Sequence, residues 1–108
     1  MGYDVSLVTD CGNGFVRIGS ADWEYTYNLS EFFAWALRKG LAEFDGDDAW
    51  YLLDSIKHAL YKIRVAERGS LDRFEPENGW GSVLGATIFL ADIGIACAKA
   101  PNAKVRVR

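Results

Sequence analysis

The sequence predicts an α+β domain in which a small antiparallel sheet, made of the N-terminal strands plus a C-terminal strand, packs against about three helices. Three observations carry that expectation. Polar and apolar residues alternate at both ends of the chain, helical apolar stripes recur through its middle, and a glycine-rich turn separates the first two alternating runs. The resulting order is βββ-ααα-β. With 108 residues, half of them hydrophobic and a quarter charged, residues 1–108 form one domain able to bury a sizeable core.

Tyr3 to Thr9 alternates, with Tyr3, Val5 and Leu7 on one face and Asp4, Ser6 and Val8 on the other. Asp10-Cys11-Gly12-Asn13-Gly14 follows as a turn, because Asn and Gly accept positive φ, and the chain returns through Phe15 to Gly19 as a hairpin. Trp23 to Tyr27 is a third extended run, rich in aromatic residues that suit a half-buried pleat. Asn28-Leu29-Ser30-Glu31 has the form of a capping box, which starts the first helix with Leu29, Phe32, Phe33, Ala36 and Leu37 inward. Gly40 is its expected left-handed stop.

The second helix begins near Asp47 or Asp48, whose charge favours an amino end, and runs to Arg68 with Gly69 as terminator. Its inward face is Ala49, Leu52, Leu53, Ile56, Ala59, Leu60 and Ile63. Ser70 to Phe74 forms a short helical turn, and Glu75-Pro76-Glu77-Asn78-Gly79-Trp80-Gly81 is the main loop, since proline lacks the amide that a helix needs. Ser82 caps a third helix that is apolar nearly all round and therefore expected at the centre of the fold. Pro101 and Asn102 end it, and Ala103 to Arg108 alternates as a strand that pairs with the N-terminal hairpin.

Composition narrows the functional classes. The longest apolar stretch, Val83 to Ala98, is shorter than a bilayer span and contains Asp92, so no membrane role is expected. The start of the chain lacks the basic, apolar and small-residue order of an export signal, which points to the cytoplasm. Its formal fit to a myristoylation pattern runs straight into a strand without a second basic signal. Cys11 and Cys97 have no metal-ligand spacing and are read as free thiols. The net charge of −3 divides unevenly: residues 1–54 carry ten acids against three bases, and residues 55–108 carry nine bases against five acids. An acidic chain whose bases are dispersed is a poor nucleic-acid binder.

No catalytic constellation emerges. His58, the single histidine, lies on the outer side of the second helix without a base, nucleophile or metal partner in sequence. Tyr51 and Tyr61 share that side with it, which makes either a solvated helix face or an aromatic strip for a partner. Trp35 sits to the side of the first helix's stripe, so either the N-terminal strands fold over it or it belongs to a dimer or partner surface. Asp45, Asp47 and Asp48 lack the alternation of a calcium loop, whose twelfth position would fall on Ile56, and are read as helix-start charge. No metal or cofactor is expected.

Gly79-Trp80-Gly81-Ser82-Val83-Leu84-Gly85 follows Glu75 to Asn78 where a strand would be required, and fails as a dinucleotide fingerprint. A tight turn with Trp80 anchored in the core is the favoured reading. The alternative places Asn28, Asn78, Gly79, Trp80 and Gly81 around a nucleotide-like ligand, by stacking on Trp80 and anion capture at the start of the third helix. The acceptor pattern Asn28-Leu29-Ser30 for glycosylation is explained by capping in a chain that is not exported.

Several short motifs carry a resemblance: Gly2-Tyr3-Asp4-Val5-Ser6-Leu7, Tyr25-Thr26-Tyr27-Asn28-Leu29, Asn78-Gly79-Trp80-Gly81, and the stretch from Ala96-Cys97 to Pro101-Asn102-Ala103-Lys104-Val105. With these the chain resembles a family of small uncharacterised bacteriophage and prophage proteins of the actinobacteriophage type. It departs from the family pattern at Tyr27, where His is frequent, and at residues 70–76, where a Pro-Asp-rich segment is frequent. The resemblance implies a phage accessory protein acting in the cytoplasm of a bacterial host, and it transfers no activity, cofactor or catalytic residue. By analogy, such a protein binds and modulates a bacterial host or defence protein without being an enzyme. Trp35, Tyr51, His58 and Tyr61 are the expected partner-binding residues, and a homodimer is left open.

Overall fold

The computed structural model describes residues 2–10, 15–17 and 23–108 and bears out the α+β architecture. The expected turn at residues 11–14, with Cys11, and the end of the second strand at Ile18 and Gly19 lie outside the described residues. Strand β1 (Gly2–Asp10) runs through the middle of an antiparallel sheet and pairs with β2 (Phe15–Arg17), β3 (Trp23–Thr26) and β4 (Lys104–Val107). Val5 lies between Trp23 and Val107, and Val8 between Arg17 and Lys104. Strands β2 and β3 therefore share one edge of β1, and β4 takes the other. The alternation read from sequence sets the register: Tyr3, Val5 and Leu7 join Val105 and Val107 on the buried face.

After β3 the chain makes a 3-10 turn, Tyr27–Leu29, before helix α1 (Ser30–Leu37). The expected capping box at Asn28 does not form. Thr26 takes the capping role, its hydroxyl accepting from the Asn28 amide at 3.2 Å, which leaves the Asn28 side chain free to reach across the fold. Helix α1 also stops earlier than expected. Arg38, with φ 73°, is the left-handed residue, and Gly40 (φ −61°) starts the next 3-10 turn, Leu41–Phe44. Phe32, Phe33, Ala36 and Leu37 are buried as the stripe required.

Helix α2 (Ala49–Val65) ends at Val65 rather than Arg68, and Gly69 (φ 84°) turns the chain a few residues beyond its end. A third 3-10 turn, Asp72–Phe74, precedes the loop to helix α3 (Val83–Lys99). Ser82 caps α3 as expected, its hydroxyl accepting from the Gly85 amide at 2.9 Å. Helices α2 and α3 pack closely at Gly94, where an added Cβ would come within 3.2 Å of Ile56 Cγ2. Helix α3 is not central on every side: it buries Ala86, Phe89, Leu90, Ile93, Gly94 and Cys97 but leaves Leu84, Ile88 and Ile95 exposed.

Aromatic rings join the layers. Phe33 of α1 meets Tyr3 of β1 and Tyr25 of β3 edge-on, at 5.6 and 6.2 Å between centroids, and Phe89 of α3 at 5.8 Å. Such edge-on pairs add about 0.5–1.5 kcal/mol each beyond area burial. Phe33→Ala should therefore lower unfolding stability by about 3–5 kcal/mol, the usual loss for a fully buried phenyl, measured by urea denaturation.

The Cys97 thiol is buried in this core, and burial pushes its pKa up from 9.0 to about 11. A raised thiol pKa leaves the native state unpenalised below pH 9 and progressively destabilised between pH 9 and about 11, where only the unfolded thiol ionises. In a Cys11→Ser background Cys97 should resist a thiol-specific chromogenic reagent at pH 8 until denaturant is added, followed by absorbance.

Candidate functional site

Two surfaces contain the residues singled out from sequence. The first is the loop that opens α3. The structure does bring Asn28, Asn78, Gly79, Trp80 and Gly81 together, by hydrogen bonds among themselves. Asn28 Nδ2 donates to Asn78 Oδ1 and to the Trp80 carbonyl, both at 3.3 Å, and Asn78 Oδ1 also accepts from the Trp80 amide at 3.0 Å. Gly79 and Gly81 have φ of 73° and 91°, where an L side chain is strained.

The start of α3 already has its polar partners. Glu75 Oε1 accepts from the Val83 amide at 2.6 Å, so a carboxylate from the chain itself sits where an incoming anion would go. Tyr25 lies beneath, its hydroxyl accepting from the Ser82 amide at 2.9 Å and donating to the Ser82 carbonyl at 3.0 Å. A Cβ at Gly85 would fall 2.3 Å from that hydroxyl, and one at Gly81 would fall 2.6 Å from Thr26 Cγ2. The glycines thus serve close approach of the helix start to β3, in place of the approach to a phosphate that the motif superficially suggests.

Trp80 is 72% exposed, which overturns the favoured reading of a core anchor. Its ring borders an open cleft of about 570 Å³ with Tyr3, Asp4, Glu24, Tyr25 and Thr26. Stacking on Trp80 remains chemically available there. Anion capture at the helix start is not, because Glu75 occupies it.

The second surface is the outer side of α2 and its junction with α1. Tyr51 and His58 line a cleft of about 280 Å³ together with Arg38, Lys39, Phe44 and Asp54. Arg38 Nη2 approaches His58 Nδ1 at 3.4 Å, and since a guanidinium only donates, Nδ1 is the acceptor in this contact. Tyr61 borders the neighbouring groove with His58, Arg38, Lys62 and Val65. Tyr51, His58 and Tyr61 therefore share one exposed surface, as the helical spacing required.

Trp35 does not join them as a free ring. It is half-buried, with Phe74 at 5.6 Å and Phe32 at 6.1 Å, and the Lys62 ammonium sits 4.3 Å above it while donating to the Trp35 carbonyl at 2.8 Å. Among the described residues its cover comes from Lys62 of α2 and from Arg73 and Phe74 of the Asp72–Phe74 turn. Trp50, which the sequence reading passed over, is exposed on the outer side of α2 against Tyr51. The same helical step that placed His58 outward applies to it, at ~100° per residue.

The acids of the 45–48 segment are each engaged. Asp45 Oδ1 accepts from the Val107 amide at 2.8 Å, Asp47 pairs with Lys39 at 3.2 Å, and Asp48 pairs with Lys104 at 2.6 Å. Among the described residues no group of three or more His, Cys, Asp or Glu is placed to hold a metal ion. Among the described residues no helix is long and apolar enough to cross a membrane. Compared with known proteins, the chain matches no protein-family model, no curated protein and no solved structure.

Removing the Tyr25 hydroxyl tests whether the glycine loop is a structural joint. Tyr25→Phe leaves the Ser82 amide without its partner and should cost about 1–3 kcal/mol of stability, read by urea denaturation, with little change in native circular dichroism.

Proposed function

We propose that this chain is a small, non-enzymatic accessory protein of phage type that binds and modulates a bacterial host or defence protein in the host cytoplasm. The observation that carries the reading is the outer side of α2, where Trp50, Tyr51, Tyr61 and Val65 stand exposed around His58. Tyr61 alone is 65% exposed, and monomers gain little stability from large aromatic rings held in water. Tyr and Trp dominate the energetics of protein interfaces, because each offers a large rigid area with few rotamers to freeze. Lys57, Lys62 and Arg64 flank these rings and Asp54 lies among them on the same helix, so the target surface favoured here is apolar at its centre and predominantly acidic at its rim. The phage context rests on the short sequence motifs alone.

Trp35 acts in this reading as a support: it holds Lys62 beside the groove that Tyr61 borders. A tagged wild-type chain should capture a specific protein from bacterial lysate, and Tyr61→Ala or Trp50→Ala should reduce that capture by about tenfold or more with circular dichroism unchanged. Capture of no specific protein, or equal capture by both variants, defeats the reading.

The exposed ring of Trp80 favours one second reading, a nucleotide-like ligand held by stacking in the adjoining cleft. Because Glu75 holds the helix start, such a ligand would present its base and not its phosphate to the loop. Titration of nucleosides and nucleotides should then quench tryptophan fluorescence in the wild type and not in Trp80→Phe. Equal or absent quenching in the two proteins removes it.

A further inference from the structure

We propose that the cleft between α1 and α2 holds a carboxylate, the side chain of an acidic residue on the target, between Arg38 and His58. The carrier's being a protein rests on the target reading of the α2 surface, whereas the carboxylate chemistry rests on the cleft alone. Arg38 closes α1 in the left-handed region, with φ 73°, where glycine is the relaxed residue. Backbone strain of this kind concentrates at sites where the strained residue has a task.

The surroundings of the guanidinium indicate the task. Arg38 Nη2 contacts His58 Nδ1, a neutral acceptor, at 3.4 Å, and among the described residues no carboxylate lies within ion-pair distance of Arg38. Because Nδ1 accepts, the neutral ring keeps its proton on Nε2, so imidazole and guanidinium both have N–H groups left to donate. Lys39, the other cation lining the cleft, is already engaged: its ammonium pairs with Asp47 at 3.2 Å and stands 4.4 Å over the Phe44 ring. The donors sit on anchored elements. Ser55 of α2 donates its hydroxyl to the Leu37 carbonyl at 2.9 Å and so ties α2 to the end of α1.

Size and charge select the anion. The cleft is about 280 Å³, and Leu37, Phe44 and Tyr51 give it apolar walls against which the methylene stem of a glutamate can pack. Asp54 lines the same cleft and repels anions, a dianionic phosphate more strongly than a singly charged carboxylate. A planar guanidinium also matches the two oxygens of a carboxylate. Arg38 and His58 border the neighbouring groove that Tyr61 lines, so an acid seated between them lies beside the exposed aromatic rings.

His58 is the single histidine, which makes its ring protons a unique reporter in proton NMR. At constant pH and ionic strength, N-acetylglutamate amide should shift them saturably with a dissociation constant of about 1–50 mM, the range for one small charged ligand at an open site. N-acetylglutamine amide should not, and inorganic phosphate should bind at least about threefold more weakly than the glutamate probe. Arg38→Gly suits the left-handed backbone and should fold with unchanged circular dichroism, while weakening the glutamate probe at least about fivefold. Asp54→Asn should strengthen it about two- to fivefold. A shift that is absent or does not saturate, an equal response to the glutamine probe, tighter binding of phosphate, or wild-type binding by Arg38→Gly would each overturn the proposal, even where Tyr61-dependent capture from lysate succeeds. An intact carboxylate response where lysate capture fails supports the cleft and places the loss on the target reading.

Discussion

The fold depends on how closely the start of α3 can approach β3. One phenolic hydroxyl, that of Tyr25, satisfies both the amide and the carbonyl of Ser82, residues 57 positions apart in sequence. That joint exists only because Gly81 and Gly85 present no Cβ to Thr26, Leu29 or the Tyr25 ring. Once α3 is held there, Phe89 reaches Tyr25 at 5.4 Å and Phe33 at 5.8 Å, so the aromatic core joins sheet, α1 and α3. A half-buried polar joint of this kind favours one docking geometry, since a slip breaks both hydrogen bonds at once.

The opposite edge of the sheet is governed by a second constraint. A strand edge carries unpaired amides and carbonyls that invite another chain. Here the segment before α2 covers β4: the Gly46 amide donates to Val105 O at 2.7 Å, the Val105 amide to Asp47 O at 2.8 Å, and the Val107 amide to Asp45 Oδ1 at 2.8 Å. The acidic cluster is thus consumed in protecting an edge and pairing with Lys39 and Lys104. Among the described residues two exposed helix faces differ in character: α2 presents aromatic rings among charged residues, and α3 the aliphatic side chains Leu84, Ile88 and Ile95.

The elements were legible because their periodicities are local. The alternation of Tyr3, Val5 and Leu7 and of Val105 and Val107, the stripes of α1 and α2, and the Ser82 cap are each written within a few residues. The misreadings share a cause. Asn28 looks like a helix cap over four residues, yet its amide finds better use bridging to Asn78 and Trp80, some 50 residues on. Gly40 looks like the stop of α1, yet the tertiary path demands the turn two residues earlier, and Arg38 accepts the left-handed conformation. Trp80 sits between two glycines, and nothing local says whether such a ring faces core or water.

Sequence by itself determined the fold class, the number and order of the helices, the pairing of the chain's ends, and the outward placement of Tyr51, His58 and Tyr61. These follow from polarity patterns that the 3.6-residue and two-residue periods translate directly into faces. Tertiary structure alone decided which helix starts and acids were already occupied, that Trp35 lies under Lys62, that Trp80 stands in solvent, and that α3 turns an apolar side outward. Those outcomes depend on which distant group arrives to satisfy or cover each residue, and no local period records that.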